Sequence, residues 1–179
     1  MPGKGFFYTL EQPGTQRKQD LTRKLAKGGN DEMKAVNYIE DFTQWKKGFE
    51  FYIPINIRFS ETDMFGHVNN ISPFIYFEEA RIAFLKNLGL FNALADESQQ
   101  IPIVADLQCD YHRQIYFNDN LKLYVKVNHT GKTSIDIHYL GMNQRGEVCI
   151  TGRGRMVQVD VQSGTPVPFT EKEKMKLKV

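Results

Sequence analysis

The chain has 179 residues, 41% apolar and 25% charged, which is the balance of one globular domain and leaves no room for several. Formal net charge is +2, and the first 34 residues hold seven Lys or Arg against four Asp or Glu, so the body has no basic excess of the kind a nucleic-acid domain presents. No stretch approaches the ~20 apolar residues that span a bilayer and the N-terminus lacks a secretory apolar core, so a cytoplasmic protein without a membrane span is expected.

Residues 1–33 mix Gly, Gln, Lys and Thr with no sustained apolar period, the composition of a flexible extension. Its basic cluster, Arg17, Lys18, Arg23, Lys24 and Lys27, reads as a solvated tail, and Met33 is a candidate natural start. Over 34–48, Tyr38, Ile39, Phe42 and Trp45 recur at spacings of three and four before Gly48, which predicts a short amphipathic helix packing its aromatic stripe on the domain. Phe49 to Phe59 alternates apolar and polar residues, a strand with one buried face, and Pro54 must lie at an edge or a bulge because it has no N–H to donate.

The sequence E-T-D-M-F-G-H-V-N-N follows at 61–70, then Ser72 as an N-cap and Pro73 in a first turn. The helix runs to about Leu88 and closes at Gly89. Phe77, Ala80, Phe84 and Leu88 form one stripe, but Phe74, Ile75, Ile82 and Leu85 widen it until the helix must be nearly surrounded. Four strands come next: Ile101 to Tyr111 with its odd-numbered residues on one face, Leu121 to Val127, Ile135 to Tyr139, and Val148 to Val161, where a switch of parity implies a bulge near Arg155 or Met156. Cys109 and Cys149 sit singly in these runs and read as buried free thiols, with no metal site implied. The domain therefore spans 49–165, with 166–179 as a polar tail. One strand, one long helix and four strands make an α+β fold, an antiparallel sheet against a helix. A lone sheet leaves edges and a helix face uncovered, so a homo-oligomer is expected.

R-F-S-E-T-D-M-F-G-H-V-N-N, followed by F-E-E-A-R on the helix, resembles the signature of hotdog-fold acyl-CoA thioesterases of the 4-hydroxybenzoyl-CoA thioesterase type, over about Phe51 to Val161. The resemblance implies a five-stranded antiparallel sheet wrapped around one central helix, in homodimers or homotetramers with interface active sites. It implies an acyl-CoA or aryl-CoA substrate and no cofactor. By motif position Asp63 is the acid that attacks the thioester carbonyl or activates water, and the backbone N–H of Asn70 polarises the carbonyl oxygen. Both chemistries suit the residues. An aspartate in water titrates near ~3.9 and is an ionised base or nucleophile at neutral pH. Helix N-termini leave N–H groups unpaired, and one oxyanion donor is worth ~2.7–4 kcal/mol in the transition state.

Around these two, Gly66 supplies a tight turn. His67 is open to three roles, orienting water, contacting substrate or structuring the loop. Asn69 and Asn70 side chains can cap the helix or bind substrate, Val68 packs, and Glu61 is read as supporting the loop. Glu78 pairs with Arg81 at a spacing of three, and Glu78 and Glu79 are reserve catalytic carboxylates, since another hotdog branch takes its acid from the helix. The chain departs from the family at Pro73, where many relatives carry Tyr, so Phe74, Tyr76 and Phe77 are left to wall the acyl pocket. Arg58, His112, Arg113 and Lys132, and above all Arg153 and Arg155 beside Gly152 and Gly154, are candidates for the CoA phosphates.

Two alternatives belong to other classes. A hotdog dehydratase or hydratase would set a His and a carboxylate in its own loops, a pattern absent around His67, His112, His129 and His138. A non-catalytic acyl-CoA-binding module would have no use for Asp63. No G-x-S-x-G elbow, phosphate loop or H-E-x-x-H helix occurs.

Overall fold

The structure is a computed structural model and describes residues 36–90 and 100–178; the expected extension, 1–33, lies outside them. Helix α1 (Phe42–Lys47) is shorter than the periodicity over 34–48 implied, because Asp41 caps it: its carboxylate accepts the Gln44 N–H at 3.0 Å, while Tyr38 and Ile39 stay in the preceding turn. Strand β1 (Phe51–Asn56) also stops short of Phe59, where the chain winds into a 3-10 turn, Phe59–Glu61. Helix α2 (Ser72–Asn87) then leads to β2 (Gln100–Tyr111), β3 (Asn120–Thr130), β4 (Ser134–Asn143), β5 (Val148–Asp160) and a terminal helix α3 (Glu171–Leu177).

The five strands form one antiparallel sheet in the order β1-β3-β4-β5-β2, so β1 and β2, consecutive strands of the chain, lie at opposite edges and α2 crosses the face between them. Pro54 sits on edge strand β1 opposite Lys122, where a missing donor breaks no inner ladder. Against the sheet α2 buries Tyr76, Phe77, Ala80, Phe84 and Leu85, which meet Leu121, Leu123 and Val125 of β3, Ile135 and Ile137 of β4, and Ile150 and Met156 of β5. Each Leu, Ile, Val, Phe or Met side chain among them contributes roughly 1.5–3 kcal/mol by leaving water. The helix ends as its sequence implies: Gly89 takes φ +63°, and Leu90 N–H reaches Leu85 O at 2.9 Å.

Gly152 shows why β5 carries glycines. A Cβ there would meet the Phe77 ring at 2.5 Å and Gln108 O at 2.8 Å, and Phe77 cannot retreat because it stacks on Tyr139 at 4.3 Å. Gly152→Ala is therefore expected to cost about 1–3 kcal/mol, the usual range for overpacking, read as a lower denaturation midpoint. An unchanged midpoint would mean that α2 can lift from the sheet without penalty.

The register of β2 against β5 does shift opposite Met156 and Arg155, but the extra residue is Ala105 on β2. Val104 therefore packs inward before the bulge and Leu107 and Cys109 after it, and the expected uniform odd face of β2 is broken while Ile103 is exposed. On β5 the irregularity lies earlier, where pairing with β4 passes from Val148 to Ile150 and leaves out the buried Cys149; beyond it Ile150, Gly152 and Met156 face the core, with a glycine where a side chain was sought. Burial raises both thiols, Cys109 to about 12 and Cys149 to about 11, which leaves them protonated and unreactive.

Residues 166–178, expected to be a polar tail, belong to the domain. Val167 and Phe169 donate to Gln158 O and Lys132 O, Thr170 and Glu173 form a capping box, and α3 delivers Leu177, 2% exposed, into the core.

Candidate active site

The loop 61–70 is a miniature hairpin. Asp63 N–H donates to His67 O at 2.8 Å, Gly66 N–H to Asp63 O at 3.0 Å, and Thr62 bridges Val68. Gly66 closes the turn at φ +84°, a conformation that L side chains adopt only at a cost, and a Cβ there would meet nothing within 4 Å, so the requirement is purely conformational. The hairpin is held from outside by the connection between β2 and β3: Val68 N–H donates to Ile115 O at 2.8 Å and His67 bridges Tyr116.

The Asp63 carboxylate is partly exposed. Its Oδ1 accepts Phe65 N–H at 2.8 Å and His67 N–H at 3.4 Å, an Asx-type turn that fixes the side chain and directs one oxygen to the loop. His67 Nδ1 lies 3.7 Å from that oxygen, beyond a hydrogen bond, while its ring packs edge-on against Tyr116 at 5.7 Å and beside Phe65 at 6.2 Å.

After the hairpin the chain enters α2 without a side-chain cap on Ile71, the residue in the N-cap position. Asn69 takes over: its Oδ1 accepts Ile71 N–H at 3.1 Å and its carbonyl accepts Ser72 N–H at 3.0 Å. Ser72, expected to cap, instead turns its hydroxyl to Glu61 O at 3.2 Å. Among the described residues no acceptor is bonded to Asn70 N–H, which lies where the helix dipole is positive. Asn70 O receives the hydroxyl of Tyr111 from the end of β2.

The remaining candidates lie outside this arrangement. Glu78 and Glu79 are exposed on α2, and Glu78 lies 3.7 Å from Arg81. Arg153 is paired with Asp136 at 2.6 Å and Asp106 at 3.2 Å, while Arg155 is exposed. The glycines beside them, expected to let a ligand approach, admit Phe77 and Leu107 instead. Of the proposed acyl wall, Tyr76 and Phe77 are core and Phe74 is half-buried. Tyr111, Ile115 and Tyr116 were not among the sequence candidates; the only sequence signal for them is that an aromatic-rich stretch, Tyr111 to Phe117, precedes the Asn118–Asn120 turn.

Residues 57–177 match the thioesterase-like superfamily. The chain belongs to that superfamily. It has the hotdog fold, and this thioesterase-like chain is 48% identical over 143 residues to the uncharacterised protein YsmA of Bacillus subtilis, a span of 79% of this chain and 95% of that protein. Among solved structures, a thioesterase from Thermus thermophilus complexed with coenzyme A and zinc is 27% identical, with a TM-score of 0.63 over 74% of this chain and 94% of that one. The DHNA-CoA thioesterase of Staphylococcus aureus shares the fold at 24% identity and a TM-score of 0.61, over 65% of this chain and 78% of its own.

Proposed function

We propose that this chain hydrolyses coenzyme A thioesters to a free acid and a thiol, with Asp63 acting on the thioester carbonyl and Asn70 N–H receiving the developing oxyanion. The observation that carries the reading is the Asn70 N–H, unaccepted among the described residues, just before α2 and on the same ten-residue loop as a partly exposed, oriented carboxylate. In one route an Asp63 oxygen bonds to the carbonyl carbon, the C–S bond breaks, the thiolate takes a proton from solvent, and water cleaves the mixed anhydride. In the other, Asp63 takes a proton from water as the water oxygen attacks the same carbon, and the C–S bond then breaks as Asp63 returns that proton to the departing thiolate. Both consume one water and return the carboxylate.

The surroundings support an oligomer. Met64 at 88% exposure, Phe65 at 68%, Ile71 at 64% and Ile75 at 52% flank the loop and the entry to α2 with apolar surface, which a second copy of the chain would cover. Exposed Arg58, beside the motif and only loosely paired with Glu61 at 3.9 Å, is better placed to meet a CoA phosphate than Arg153, which is held by two carboxylates. The test is thiol release from a panel of acyl-CoA and aryl-CoA thioesters. Turnover of at least one class is expected; a folded wild type inert across the panel would favour the non-catalytic acyl-binding alternative.

A further inference from the structure

We infer that Glu61 is a positioning residue, clamped by Tyr76, that sets the separation between Asp63 and the Asn70 N–H; the inference rests on the thioesterase reading above. Asp63 lies two residues after Glu61 on the outgoing limb of the loop. Asn70 follows Asn69 on the returning limb. Beyond the Asp63–His67 and Thr62–Val68 pairings within the hairpin, Glu61 ties the base of the outgoing limb to the end of the returning limb and to α2, using both its backbone and its side chain.

Its carbonyl accepts Asn69 N–H at 2.8 Å and the Ser72 hydroxyl at 3.2 Å, which ties the returning limb and the first residue of α2 to one atom. Its carboxylate Oε2 accepts Arg58 N–H at 2.8 Å and the Tyr76 hydroxyl at 2.9 Å, which ties the exit of β1 to the second turn of α2. Tyr76 is 2% exposed and packed in the core, so its hydroxyl is a fixed point and not a mobile surface donor. Burial, and then the Glu61 carboxylate, push that hydroxyl well above the ordinary tyrosine range, so it remains a donor at every working pH. From the other side Tyr111 reaches Asn70 O, so the N–H donor is held by β2 as well as by α2. The Phe65 and His67 N–H groups orient the Asp63 carboxylate within the loop, while Glu61 holds the base of that loop and, with Tyr111, the segment that carries the Asn70 N–H.

Reacting groups must be held to a fraction of an ångström, and a displacement of about 1 Å costs on the order of 10²-fold in rate. A residue that fixes their separation should therefore affect kcat while leaving substrate affinity nearly alone. A residue that merely caps the 3-10 turn would lower the melting temperature and nothing else. The two roles are separable by Tyr76→Phe, which removes one oxygen from a packed ring, together with Glu61→Ala and Glu61→Gln. Because both donors converge on Oε2, an amide oxygen in the same place can accept both, and Glu61→Gln is the conservative rescue.

The experiment measures kcat, KM and the melting temperature for these three variants beside wild type and Asp63→Asn, using the CoA thioester that wild type turns over fastest. Tyr76→Phe and Glu61→Ala are expected to lower kcat about 10- to 100-fold with KM little changed, and Glu61→Gln to recover most of the loss. Wild-type kcat in Tyr76→Phe and Glu61→Ala, alongside an inactive Asp63→Asn, would overturn the positioning role and leave the thioesterase reading standing. A rise in KM alone would overturn it too. Wild-type kcat in Asp63→Asn would overturn the positioning role together with the assignment of Asp63 to the chemistry, and would leave the hydrolysis itself standing.

Discussion

Asp63→Asn is expected to lower kcat for thioester hydrolysis by about 10²- to 10⁴-fold, the range lost when a positioned base or nucleophile is removed. Asparagine is the informative substitution because its Oδ1 can still accept the Phe65 N–H that shapes the turn, now at 2.8 Å, whereas Asp63→Ala would lose the turn and the charge together. What asparagine lacks is the negative charge that makes the other oxygen a proton acceptor or an attacking group. The melting temperature should hardly move, since the side chain is partly exposed and its loop bonds persist. Thiol release and a thermal melt on the same preparation make the comparison. A variant with wild-type kcat would remove Asp63 from the chemistry and turn attention to Glu78 and Glu79, whose exposure on α2 leaves them accessible to a substrate.

The parts of this molecule that follow local rules were legible in the sequence. Pro54 demanded an edge, Gly89 a helix end and Gly66 a positive φ, and each is where its backbone chemistry requires. The motif loop was legible for the same reason, since the turn, Asp63 and the helix entry lie within ten residues. What escaped was set by contacts distant in sequence. Tyr111 reaches Asn70 across 41 positions, and Trp45 reaches His138 across 93. Neither leaves a periodic trace. Leu177 was read as tail because a seven-residue helix with one apolar anchor has no stripe to detect. The face of β2 was misread because one inserted residue, Ala105, reverses every side chain beyond it.

The second large effect is expected in acid and comes from the sheet face opposite α2. His138 is fully buried there, its Nδ1 accepting the Trp45 indole N–H at 2.6 Å and its Nε2 lying 2.9 Å from Asp136 Oδ2, with Tyr38 edge-on at 5.1 Å. This arrangement needs a neutral ring with its proton on Nε2, because a second proton on Nδ1 would face the indole N–H. Burial is the main cause that holds the His138 pKa down to about 4; Asp136 opposes the shift, and Lys126 and Arg153 reinforce it. In the unfolded chain the ring titrates near ~6.5, so between that pH and 4 the unfolded state binds a proton that the folded state refuses. The contribution is therefore complete above pH ~6.5 and is lost progressively as pH falls, by about 3 kcal/mol in all. Trp45 is the sole tryptophan, so its emission reports the transition at the bond concerned. His138→Asn keeps a side-chain carbonyl for the indole but cannot titrate. It should be less stable than wild type near neutral pH, yet show a smaller loss between pH 7 and 4.5 in denaturant titrations. Parallel losses in the two proteins would place the acid sensitivity elsewhere in the fold and leave His138 as packing alone.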